Sequence, residues 1–86
     1  MEVKIRDVSI EINDIIYDKE HGNYIELKGR MKKGEETNKL IYYTLNSYLN
    51  DDPIKISIGT SVSSKKVSGD FQEDGDDLVY TIHIFT

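Results

Sequence analysis

Apolar and polar residues alternate along most of this chain, the two-residue period of strands that bury one face. Val3 and Ile5 fall on odd positions, then Val8, Ile10 and Ile12 on even ones. That switch of parity predicts a bulge or bend near Arg6-Asp7 within one long, curved first strand running to about Tyr17. Asp18 to Asn23 is polar and turn-prone. Tyr24 to Lys32 resumes the alternation with Ile25, Leu27 and Met31 inward, so the two segments read as a hairpin in which Tyr17 and Tyr24 face each other. The last segment, Leu78 to Phe85, is apolar on both parities, which marks a central strand in preference to one covered by a partner or a second copy.

Between these segments the period changes. From Glu35 to Asn50, Ile41, Leu45, Tyr48 and Leu49 recur at i, i+4, i+7 and i+8, with two acidic residues at the start and Pro53 beyond the end. This predicts an amphipathic helix whose apolar stripe faces a core, although Ile41, Tyr43 and Leu45 also fit a strand. Ile54, Ile56 and Ile58 then alternate as a strand, Gly59 to Ser64 forms a loop or edge segment, and Lys65 to Gln72 is extended. The predicted fold is a small single α+β domain over residues 1–86, with a curved, mostly antiparallel five-stranded sheet and one helix in the order ββαβββ. An all-β barrel or sandwich is the alternative if residues 35–50 form a strand.

Eighty-six residues bury only about 60–65% of the unfolded surface. The chain has no cysteine, which argues against a disulfide-stapled secreted scaffold and favours a reducing cytoplasm. Its start alternates charged and apolar residues instead of forming a signal peptide, and no segment is long enough to span a bilayer. Twelve Ile, nine Lys against two Arg, five Asn and no Ala point through codon composition to an A/T-rich genome, as in low-GC bacteria, their phages and plasmids. A net charge of −5 disfavours direct binding of duplex nucleic acid.

Charge is concentrated at one place. Asp70, Glu73, Asp74, Asp76 and Asp77 surround Gly75, and an Asp-Gly pair between extended segments signals a tight hairpin. The turn accounts for the glycine; the five carboxylates are left for solvent, a cation or a basic partner. Asp70, Gln72, Asp74 and Gly75 match the opening of a calcium loop, but position twelve is Thr81 and the flanks are strands, so only a weak metal site at Asp70, Asp74 and Asp76 survives, and a solvated turn is the default.

Catalytic signals are poor. His21 and His83 are far apart with no Cys to join them, and Ser63 to Lys66 spells S-x-x-K without the helix or the partner motifs that give it meaning. No catalytic residue and no cofactor is assigned. Of six tyrosines, Tyr42 and Tyr43 are adjacent, so one of them must leave the core of a helix and offers an exposed anchor. Lys28, Arg30 and Lys32 share one strand face, with Tyr24 available for stacking, which suggests an alternative ligand or nucleotide face against the plainer reading of a solvated strand.

These features favour a small non-catalytic module that binds another protein with a basic surface through Asp70, Glu73, Asp74, Asp76, Asp77, Tyr42 and Tyr43. One form would be an acidic inhibitor of a nucleic-acid-handling protein, encoded by a phage or other mobile element. A self-assembling or structural subunit is the second reading, and a small-ligand domain the third.

Overall fold

Short hairpins, not one curved run, build the N-terminal part of the chain. In the computed structural model, which describes residues 2–18 and 24–85, β1 (Glu2–Ile5) and β2 (Val8–Glu11) pair antiparallel, with Ile5 opposite Val8. A two-residue turn sets its flanking residues on the same face, so the inward set passes from odd to even numbers across Arg6-Asp7. The parity switch is therefore real, but a turn produces it instead of a bulge within one strand. The sequence hid it because Arg6-Asp7 lacks the Gly or Asn that such turns favour, and Arg6 itself takes φ 55°. β3 (Asp14–Asp18) follows and pairs with β4 (Tyr24–Lys32). Their register sets Tyr17 opposite Ile25 and Tyr24 opposite Asp18, so the expected tyrosine pair does not form. His21 and the rest of the predicted polar turn over residues 19–23 lie outside the described residues.

The helix α1 spans Glu35–Asn50, as its period predicts. β5 (Ile54–Ile58), β6 (Ser61–Asp74) and β7 (Asp77–Phe85) complete the order ββββαβββ, so the described residues hold seven strands instead of five. Only Gly59 and Thr60 turn between β5 and β6; the serine-rich stretch after them is already paired with β5. All pairings are antiparallel, in one open sheet of order β2-β1-β5-β6-β7-β4-β3, which corrects both the five-strand expectation and the barrel or sandwich alternative. β7 is an interior strand, with Leu78, Tyr80, Ile82 and Ile84 buried on one face and Val79, Thr81 and His83 half-buried on the other.

β2 and β3 follow one another in sequence yet lie at opposite edges of the sheet, so the sheet must curl until those edges approach. The long strand β6 carries much of that path: residues 61–65 pair with β5 and residues 66–74 with β7. Across the gap, the Asn13 amide donates to the Lys28 carbonyl at 2.8 Å and the Tyr80 hydroxyl donates to the Glu11 carbonyl at 2.9 Å. Gly29 stands opposite Tyr80 in the β4–β7 ladder. A Cβ there would strike the Glu11 carbonyl oxygen and lie 2.6 Å from the Tyr80 hydroxyl oxygen, so only glycine lets these backbones approach. Inside the curl, Val3, Ile5, Ile10, Leu27, Ile56, Val67 and Ile82 belong to one apolar cluster, and Leu40 joins it from α1.

The helix lies along β6, but rotated by roughly a quarter-turn from the orientation its apolar stripe implies, so that the neighbouring face is inward. Its buried residues are Thr37, Leu40, Thr44 and Ser47. Leu45, Tyr48 and Leu49 are 55%, 52% and 68% exposed, with Ile41 half-buried beside them. The reason is the strand it covers. Past residue 65, β6 has lost β5 as a neighbour, and its edge amides need acceptors that a leucine cannot supply. The Ser47 hydroxyl accepts from the Val67 amide at 3.0 Å and donates to the Asp52 carbonyl at 2.7 Å, tying the helix end to the strand. Thr44 returns its hydroxyl to the Leu40 carbonyl at 2.9 Å, and Thr37 exchanges hydrogen bonds with the Gly34 amide and carbonyl, each at 2.8 Å. Replacing Ser47 by Ala would leave the Val67 amide and the Asp52 carbonyl without partners and should cost about 1–3 kcal/mol in urea unfolding. Faster exchange of the Val67 amide would report the same loss; an unchanged midpoint would contradict the tie.

Candidate docking surface

The acidic hairpin is where the sequence places it, but it is less naked than its composition suggests. Gly75 takes φ 60° at the turn between β6 and β7. Arg30, arriving on β4, reaches both Asp74, at 2.5 Å, and Asp77, at 3.1 Å, and Lys33 lies 3.4 Å from Glu73. The carboxylates hold the Arg30 guanidinium above its usual pKa, first through the Asp74 hydrogen bond. Asp70 and Asp76 carry no ion pair among the described residues. Asp70, Asp74 and Asp76 form no metal-competent group there either.

The proposed ligand face is real as a face and changed in content. Lys28, Arg30 and Lys32 share one side of β4, but Arg30 is engaged by two carboxylates, and Lys28 stands in register with Asp14. Tyr24 packs edge-on to His83, ring centroids 5.1 Å apart, and against Phe85 at 6.5 Å. His83 in turn approaches Glu26 at 3.4 Å. This is a laced outer sheet face, and the depression of about 370 Å³ beside it is lined by Asp70, Phe71, Gln72, Val79 and Thr81, with no basic side chain to meet a phosphate.

The two adjacent tyrosines separate as their helical spacing demands. Tyr42 is 64% exposed. Tyr43 turns back to the β1–β2 hairpin, donating its hydroxyl to Asp7 at 2.6 Å, while Lys39 meets the other oxygen of Asp7 at 3.1 Å and Arg6 lies over the Tyr43 ring at 4.8 Å. The turn residues that look ill-suited to a hairpin thus bind it to the helix. Tyr43 and then Lys39 hold the Asp7 carboxyl down at about 2. A carboxylate lowered in the folded state stabilises above its unfolded value, about 3.9 for Asp, and that contribution is lost as pH falls through the folded value. Removing the first cause by Tyr43→Phe should move the Asp7 midpoint upward in a carboxyl-carbon NMR titration; an unmoved midpoint would show that the hydrogen bond does not set it.

The most distinctive surface lies on the other side of α1. Ile41, Leu45 and Tyr48 form one wall of a groove of about 220 Å³, and Gly69 and Phe71 of β6 form the other. Leu49 extends the apolar stripe beyond the groove, and Lys66, paired with Asp51 at 3.2 Å, closes one end over the Tyr48 ring at 5.2 Å. Sequence reasoning assigned the stripe to the core and missed Phe71 as its companion. The signal it had was the second stripe, Thr37, Leu40, Thr44 and Ser47, whose small hydroxyl side chains suit close contact with a strand edge. Among the described residues no helix is long and apolar enough to cross a membrane.

No protein-family model matches this sequence, and no curated protein or solved structure resembles it closely enough to count as a relative. Its surface must therefore be read on its own chemistry.

Proposed function

We propose that the chain is a small non-catalytic protein-binding module whose docking surface centres on the exposed stripe of α1 and is framed by carboxylates. The observation that carries this reading is the outward placement of Leu45, Tyr48 and Leu49, more than half exposed, beside an apolar groove. A helix that spends its apolar side on solvent gives up burial of about 1.5–3 kcal/mol for each leucine-sized side chain, which association with a partner would recover. Tyr42 and Tyr48 supply aromatic anchors, and Asp76 lies beyond them at the acidic tip, whereas Asp70 is turned to the outer face of the sheet. This moves the centre of docking from the hairpin tip to the helix, because Arg30 already occupies Asp74 and Asp77. An inhibitor that offers carboxylates to a nucleic-acid site is one form of such a module, with Asp76 the available charge at the tip.

The test uses three baits in nuclease-treated lysate of a low-GC bacterium: the native protein, a Leu45→Asp/Leu49→Asp variant and an Asp74→Asn/Asp76→Asn/Asp77→Asn variant. A protein held by the native bait, lost by the helix variant and eluted at lower salt from the tip variant is the expected outcome. Recovery of the same proteins by all three baits would remove the proposal. Sedimentation of the native protein separates it from the self-assembling reading: a monomer at all concentrations is expected, and a concentration-dependent dimer lost on Leu45→Asp would favour self-assembly.

A further inference from the structure

The open edge of β6 defines the form of the partner. Asp74 and Asp77 flank a two-residue turn and form a hydrogen-bonded pair, and in an antiparallel ladder such pairs recur at every second residue. Even-numbered residues of β6 therefore bond to β7, whereas the amides and carbonyls of Val67, Gly69, Phe71 and Glu73 point to the opposite edge. The Val67 amide confirms the alternation by donating to Ser47 on that side. β5 pairs only as far as Lys65. Among the described residues no strand covers the edge at Gly69, Phe71 and Glu73, and the groove bordered by Ile41, Leu45, Tyr48 and Phe71 runs beside it.

A row of unpaired backbone groups beside a helix-walled apolar groove is the arrangement that accepts an extended peptide as an added strand, the backbone supplying affinity and the groove selecting side chains. The charge around it selects further. From Glu35 to Asp52 the helix and its terminal turn carry Glu35, Glu36, Asp51 and Asp52; the cations near them, Lys39 and Lys66, are held by Asp7 and Glu36 and by Asp51, which leaves Glu35 and Asp52 without a cation among the described residues. Asp70, opposite Thr81 in the ladder, lies on the outer face of the sheet, away from the groove, and adds nothing to this charge. A second copy of this chain, itself at −5, would set like charges against one another.

We infer that the occupant is an extended segment of a partner protein, apolar at alternate positions and carrying Lys or Arg between them, which adds as a strand to β6 at Gly69–Glu73 and seats an apolar side chain between Leu45, Tyr48 and Phe71. This rests on the binding reading above and specifies the partner's form.

A displayed library of random ten-residue peptides, selected against the native protein and counter-selected against Leu45→Asp, is the probe. The expected winners are net basic, with apolar residues at every second position, and bind Leu45→Asp at least tenfold more weakly. In the complex the Gly69 and Phe71 amides should become protected from hydrogen exchange. N-methylation of the peptide backbone then isolates the strand pairing without altering the protein: one alternate set of amides should lose at least tenfold in affinity and the other set little. Winners with apolar residues spaced three and four apart, or equal tolerance of both methylated sets, would overturn strand addition while leaving a protein-binding surface on α1. Enrichment of acidic peptides, or none that distinguishes native protein from Leu45→Asp, would overturn the assignment of the groove itself, whatever the three-bait capture returns.

Discussion

Gly29→Ala should cost this protein about 2–6 kcal/mol of folding stability, the largest loss expected of any single substitution at the sheet's closing point. The added methyl would meet the Glu11 backbone carbonyl and the Tyr80 ring and hydroxyl, and of these only the side chain has freedom to yield. Moving Glu11 pulls β2 away from β4 at the point where the curled sheet brings its two ends together, and it breaks the hydrogen bond from Tyr80. Overpacking of this kind costs about 1–3 kcal/mol, and a buried hydroxyl and carbonyl left unpaired add about 1–3 kcal/mol. A total loss of about 2–6 kcal/mol stands against a net stability on the order of 4–13 kcal/mol for a chain of this length. Tyr80→Phe should cost only about 1 kcal/mol, and it should not rescue Gly29→Ala, because the carbonyl remains in the way.

The same clasp has a pH signature. Burial pushes the Tyr80 hydroxyl up to about 12, with the neighbouring Glu11 carboxylate adding to it. A phenol raised in the folded state contributes stability in full below its unfolded value, about 10, and loses it as pH climbs toward the folded one. The native protein should therefore lose stability between pH 10 and 12, by at most about 2–3 kcal/mol from this group, and Tyr80→Phe should flatten that limb. Identical alkaline profiles for the two proteins would contradict the buried clasp.

The second large effect concerns α1. Leu40 is fully buried, and it is the one aliphatic side chain among the helix's buried residues. Leu40→Ala should cost about 2–5 kcal/mol, because the removed atoms leave a cavity between the helix and the sheet that flanking strands, fixed by their ladders, close only in part. Thr44→Val, at the same face, removes the hydroxyl that bonds back to Leu40 and lies next to Gly69, and tests how much of the inward face depends on its polar character.

Much of this architecture was legible because it rests on local chemistry. The helix ends are marked by Glu35 and Glu36 at the start, by Pro53 beyond the end and by the period between them, the Asp-Gly hairpin by the positive φ of Gly75, and the interior place of β7 by its two apolar parities. What was not legible depends on partners distant in sequence. Arg6-Asp7 turns because Tyr43 and Lys39 hold it, and nothing near residue 6 announces them. Gly29 must be glycine because of Glu11 and Tyr80, which belong to other strands, and nothing near residue 29 announces either. The rotation of α1 is the clearest instance. Periodicity locates an apolar stripe and assumes the fold will bury it, whereas here the helix lies beside a strand edge whose amide needs the hydroxyl of Ser47. The groove became visible only once that choice was known, since it joins residues 41 and 71 from different elements.

The outward face of α1 is the claim on which the functional reading stands, and urea unfolding of a Leu45→Ser/Leu49→Ser variant tests it most directly. Surface substitutions away from packed contacts shift stability by no more than about 0.5 kcal/mol each, so a midpoint within that range of the native protein is the expected result. A loss of several kcal/mol, like that expected of Leu40→Ala, would mean that the stripe is packed inside the fold and would contradict the docking surface altogether.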